Sequence, residues 1–176
     1  MAEKKYAKYF TKMALGPEEA IPAYFTGKLT RGPLVYDKNI TKLAPIHMEI
    51  YTIYKAGAGF GMGTSWEGDA YGEKIFDTTM KHEDDELFIY HGCNPDDALD
   101  LGGEIEFWIG EGKDAEQYII TEPTIVYVPA GTGHMPEYFR KCTRPFFKIV
   151  LMLQNEWART TWVPLPPAFK IPPQFR

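Results

Sequence analysis

The residues best suited to metal or proton chemistry in this chain are its four histidines: His47, His82, His91 and His134. Imidazole binds Zn, Fe, Ni or Cu and moves protons near neutral pH. Two of the four stand in distinctive surroundings. One is Met80-Lys-His82-Glu-Asp-Asp-Glu86-Leu-Phe-Ile-Tyr-His-Gly92; the other is Pro129-Ala-Gly131-Thr-Gly-His134. Taken alone, His82 before four successive acids also reads as an ordinary loop histidine, and Glu86 as a surface carboxylate. Other chemistries find little support. Ser65 is the only serine and lacks a Gly-x-Ser-x-Gly setting. The glycine-rich stretch 57–63 lacks the Gly-Lys-Ser/Thr of a phosphate loop, and Met62 stands at the third fingerprint glycine, so a turn or bulged strand is expected. Asp96, Asp97 and Asp100 lack EF-hand spacing and its closing glutamate.

The elements that would position these residues are strands. From His47, residues 47–54 alternate in period two, and strand-like runs recur at 74–79, 86–90, 104–109, 117–121, 124–128 and 146–153. Gly, Pro, Asn and Asp clusters separate them, as in an all-β sandwich or barrel. On a strand, His91 has the opposite parity to Glu86, so the two face opposite ways. Tyr6, Tyr9, Phe10 and Met13 have the spacing of a short amphipathic helix over 4–14. Residues 17–45 read as an irregular arm with one short strand near 33–36. The chain divides into an N-terminal helix and arm (1–45), a barrel (46–155) and a proline-rich tail (156–176), expected to run extended over the barrel or onto a neighbouring subunit.

Composition limits the partners. The 176 residues suit one domain, and 44% hydrophobic with 24% charged residues is an ordinary globular balance. A net charge of −5 without a dense Lys/Arg cluster argues against nucleic acid. No apolar stretch approaches the roughly 20 residues that span a bilayer. Cys93 and Cys142, with no C-x-x-C and no apolar leader, fit free thiols in a cytoplasmic protein.

The two histidine segments resemble the two motifs of the cupins. The first family motif runs His-x-His, then Glu, then a closing Gly; the second runs Pro-x-Gly-x-x-His. By position, His82, Glu86 and Gly92 match the first, and Pro129, Gly131 and His134 the second. The resemblance covers roughly 47–153. It implies an all-β fold, a single jelly-roll barrel, and a divalent transition metal (Fe, Mn, Zn or Ni) held by His82, Glu86 and His134. A barrel supports such a split motif, because inward residues of separate strands converge. The chain departs from the pattern in three places. Met80 fills the first histidine slot, where a thioether is a poor ligand for these metals, Tyr138 fills the usual Asn slot, and Pro123 stands where a glycine is common. His47 is the first candidate to replace the missing ligand.

The cavity wall is expected from Phe88, Phe107 and Tyr127, with Trp108 a weaker wall candidate, and Tyr90 and Tyr138 are the proton-transfer candidates. The resemblance implies a metal-dependent enzyme acting on a small organic molecule, of oxygenase, decarboxylase, isomerase or lyase type. The fold does not choose among these. The alternative is a non-catalytic module that binds a sugar or organic acid. A homodimer is expected, joined through sheet edges and the terminal arms.

Overall fold

The computed structural model describes residues 5–15, 30–58, 78–156, 159–164 and 166–170. Twelve strands form two antiparallel sheets. The first sheet is built from β1 (Ala14–Leu15), β2 (Thr30–Tyr36), β3 (His47–Ile53), β11 (Phe146–Met152), β6 (Glu86–Gly92) and β9 (Thr124–Val128), in that spatial order. The second runs β12 (Thr160–Pro164), β5 (Thr78–His82), β10 (His134–Cys142), β7 (Gly103–Ile109) and β8 (Glu116–Ile120). A short β4 (Gly57–Ala58) also pairs with β10. The rest of the glycine-rich stretch, 59–63, lies outside the described residues, as do 74–77 of the strand expected over 74–79.

Alternation along the strands builds the core between the sheets. β3 and β6 bury every second residue, as does β11. Register stacks these inward residues in layers along the barrel: His47, Met152 and Glu86; then Glu49, Val150 and Phe88; then Tyr51, Lys148 and Tyr90; then Ile53, Phe146 and Gly92. The last layer closes on aromatic packing, with Phe139 edge-on to Phe146 at 5.8 Å. Gly92 belongs there because a Cβ would meet the Asp100 carbonyl oxygen at 2.0 Å. Phe88 meets Phe107 of the opposite sheet at 5.3 Å, edge to face.

Several elements depart from the sequence expectations. The N-terminal stripe forms only a 3₁₀ turn over Ala7–Tyr9, and Tyr6, Tyr9 and Phe10 are exposed. Without an apolar surface to bury that stripe, helical spacing alone is too weak to hold a short helix. The arm supplies β1 and β2 to the first sheet, and the tail supplies β12 to the second. β10 is a nine-residue strand that alternation did not reveal, because Pro136 interrupts it and its register with β7 shifts twice. Beyond β12, Phe169 packs edge-on against Trp108 at 6.0 Å, on the outside of the second sheet.

Candidate metal centre

His82 ends β5, Glu86 opens β6 and His134 opens β10. The three side chains are buried, and one ligand atom from each lies within 4.8 Å of the others. Glu86 Oε2 is 3.0 Å from His134 Nε2 and 3.7 Å from His82 Nε2. The imidazole rings stand 5.1 Å apart at 52°.

The loop 129–133 sets His134 in place, and each fastening is local. Ala130 N–H donates to Asp85 Oδ1 at 2.9 Å, and Gly131 N–H donates to the His82 carbonyl at 2.7 Å. Gly131 has φ +77°, a left-handed turn that a side chain rarely tolerates. The acidic run therefore has a division of labour: Asp85 anchors the loop and Glu86 faces inward. The buried Thr79 hydroxyl is shared between the backbone carbonyls of His134 and Met135.

Hydrogen bonds on the far side of each ring orient it. His134 Nδ1 donates to the Thr132 carbonyl at 3.0 Å, which turns Nε2 toward Glu86. His82 Nδ1 lies 3.2 Å from the Thr160 hydroxyl, and the ring also bonds the backbone of Arg159. Burial lowers the His82 pKa to about 4; the Glu86 charge opposes that shift and His134 reinforces it. His82 is thus neutral at pH 7. Glu86 Oε2 and His134 Nε2 are buried polar atoms without a hydrogen-bond partner. Held 3.0 Å apart in a buried setting, they are stabilised by a shared cation, either a proton on the imidazole or a metal ion. The donor set and its burial fit a divalent transition metal.

The other expected site residues divide between the two faces of the sheets. Phe88 and Phe107 are inside, with Phe88 5.6 Å from the His134 ring. Tyr90 is inside, and its hydroxyl donates to Glu137 Oε1 at 2.7 Å. Tyr127 is a correction: it is half exposed on the outer face, because on β9 the inward parity belongs to Val128. Tyr138 is a second correction. Glu137 points inward, so its neighbour faces out, paired across to Glu106 and Ala58. His91 faces outward, as parity requires. Met80 is the cross-strand partner of His134 and packs on the apolar core. His47 faces inward but is not brought to the other two histidines. Its Nδ1 and Nε2 lie 3.4 Å from Asp37 and Glu49, respectively.

One constellation was not anticipated. Lys148, fully buried, forms an ion pair with buried Glu137, which also accepts from Tyr90. Beside it Tyr51 donates to Glu49 at 2.7 Å. The Lys148 ammonium lies 5.2 Å from the Phe88 ring centre, on the ring that also contacts His134. A single lysine within the apolar run 146–152 was the available signal.

No family model and no curated protein matches the chain. Solved structures similar to it include the Mn(II) oxalate decarboxylase of Bacillus subtilis (TM-score 0.46, 13% identity, over 82% of this chain and 29% of that one). An uncharacterized conserved protein with a double-stranded β-helix domain from Klebsiella pneumoniae gives TM-score 0.46 at 8% identity, over 80% of this chain and 84% of that one. Vicilin from hazelnut, Corylus avellana, gives TM-score 0.38 at 10% identity, over 67% and 26%. The chain therefore spans under a third of the decarboxylase's length. Within this chain, two antiparallel sheets face each other, and three strands deliver two histidines and a glutamate to one end of the space between them. This two-sheet antiparallel barrel is the architecture that the motif resemblance led us to expect. Its interior is graded: the His/Glu cluster at one end, a charged layer around Lys148 in the middle, and an aromatic plug at the other.

Proposed function

We propose that the barrel is a metal-dependent enzyme acting on a small organic molecule, with His82, Glu86 and His134 as the metal ligands. The observation that carries this reading is the convergence of three buried ligand atoms, one each from His82, Glu86 and His134, within 4.8 Å of one another. When bound, the metal supplies a Lewis acid for a carbonyl or carboxylate oxygen. The protein supplies the rest. Phe88 and Phe107 exclude water from the space beside the ligands. Three protein ligands leave positions for substrate or water.

Tyr90 is the proton-transfer candidate that faces inward. Burial first, then the Glu137 and Glu86 charges, raise its pKa well above the ordinary phenol value. It therefore stays protonated and donates, with Glu137 holding its hydroxyl in place. Glu137 and Lys148 form an ion pair two layers from Glu86, so that pair adds no net charge to the interior.

The test is a turnover screen of small oxo-acids, hydroxy-acids and sugars with metal-loaded and metal-stripped protein. Turnover that needs metal and is lost in Glu86→Gln supports the enzyme. Metal-independent thermal shifts with those ligands and no turnover support a binding module instead.

A further inference from the structure

We propose that the C-terminal segment is the positioning element of the metal centre, an inference that rests on the reading of His82, Glu86 and His134 as metal ligands. Thr160 and the backbone of Arg159 hold His82 in its ligating orientation, and the contact of Phe169 with Trp108 keeps them there. The two histidines are oriented from different parts of the chain. Nδ1 of His134 is bonded to the Thr132 carbonyl, two residues away in the same loop. Nδ1 of His82 is 3.2 Å from the Thr160 hydroxyl, 78 positions further on. The backbone of Arg159 bonds the same ring. On its other side the ring presents Nε2 to Glu86 Oε2, 3.7 Å away. Fixing the far nitrogen of a ligating imidazole selects its tautomer and sets the ring angle, and metal affinity follows both.

The same segment holds the strand on which His82 lies. Among the described residues, β12 pairs with β5 along its whole length, Thr160 opposite His82 through to Pro164 opposite Thr78. On its other side β5 meets β10 only where Met80 stands opposite His134. Directly opposite residues share a face of the sheet, so Thr160 stands on the same side as the His82 ring. Beyond β12 the chain makes a second attachment. Phe169 sits edge-on against Trp108 at 6.0 Å, and Trp108 belongs to β7, which β5 and β10 separate from β12. Trp108 has outward parity, opposite to Phe107, yet is only 5% exposed. The C-terminal segment is thus fastened on both sides of the strands that carry His82 and His134.

Metal binding and docking of β12 are therefore one coupled equilibrium. β12 is the edge of the second sheet, bound by backbone pairing on one side only. Such a strand opens more readily than the centre of a sheet. If the docked strand orients His82, the metal binds the docked state better and shifts the population toward it. Linkage makes the effect reciprocal: whatever loosens the Phe169 anchor weakens the metal by the same factor that the metal strengthens the anchor.

Calorimetric titration of the full chain with Zn(II) and with Mn(II) tests this, on variants that still melt cooperatively. Thr160→Val keeps the β-branched shape and removes the oxygen. Its metal affinity should fall about 10–100-fold, the usual effect of losing the partner of a ligating histidine. Thr160→Ser, which restores the hydroxyl, should recover most of it. Phe169→Ala leaves all three ligands and Thr160 in place and should still weaken binding at least about fivefold. Hydrogen exchange reads the reciprocal effect in the wild type and decides if a variant does not fold. The β12 amides should exchange more slowly with metal than without, and Glu86→Gln should abolish that difference. Unchanged affinity in either folded variant, or equal β12 exchange with and without metal, overturns the proposal and leaves the ligand assignment standing. Wild-type protein that takes up neither ion overturns both.

Discussion

The two faces of the first sheet invert the usual arrangement. Its inner face places a histidine, two glutamates, two tyrosines and a lysine among apolar residues, whereas its outer face carries one row that is aliphatic across all six strands. The same strands serve both, since period-two alternation separates them without any change of backbone. Burying charge costs free energy unless every charge is paired, so the inner groups mark positions where chemistry rather than packing chose the residue. Pairing is indeed nearly complete: Lys148 with Glu137, His47 with Asp37 and Glu49, Tyr51 with Glu49. Glu86 is the exception, with only two histidines around it. The outer face poses the opposite problem, apolar residues left partly exposed among the described residues.

The contrast is broken most severely by removing one member of the buried ion pair. Burial pushes the Lys148 pKa down, and Glu137, Glu86 and Glu49 oppose that. Glu137→Leu leaves the ammonium unpaired and should cost about 3–5 kcal/mol in urea denaturation. Lys148→Met added to it should recover most of that loss, because an apolar pair of similar volume is nearly neutral. If the double variant is no more stable than Glu137→Leu, the pair is not the source of the loss.

The next effect is metal removal. Chelation of loaded protein should lower the melting temperature by about 5–10 °C, the scale expected when metal is present near 100 times its dissociation constant. Glu86→Gln should melt at the same temperature with and without chelator. A shift retained in Glu86→Gln would place the metal elsewhere.

A smaller effect comes from His47. Burial works against its charge, yet Glu49 and Asp37 outweigh burial and raise its pKa. With the folded value above the unfolded value of about 6.5, protonation stabilises the fold. That contribution is complete below about pH 6.5 and is lost as pH rises through the folded value. Urea titrations should show stability declining over that window, and His47→Gln should flatten the decline.

The smallest effects belong to two outward residues: Tyr138, which sequence placed near the site, and His91, which sequence already turned away from it. On the second sheet's outer face, Tyr138→Phe should change neither metal content nor turnover. His91→Ala should change stability by less than about 0.5 kcal/mol, as exposed positions away from the interior do. A large loss of metal in either variant would mean that the face assignment is wrong.

Much of this was legible in the residues. β6, β9 and β11 announced themselves by alternation or apolar runs, and the segments around His82 and His134 marked the three converging side chains. What stayed hidden has physical causes. β10 holds Pro136 and two register shifts, so neither periodicity nor propensity reveals it, and Glu137 disappeared with it. Without Glu137, Lys148 had no partner to suggest that it points inward. β12 lies in a proline-rich stretch that reads as extended tail. The run 146–152 is apolar at both parities apart from Lys148, so its outward residues are apolar as well as its inward ones.

The central claim is a metal held by His82, Glu86 and His134, and elemental analysis of protein purified without chelator tests it most directly. The account expects close to one transition-metal ion per chain, and none in His82→Ala or His134→Ala variants that still melt cooperatively. Protein without a transition metal, whose melting temperature does not move when Mn, Fe, Zn or Ni is added, would contradict it.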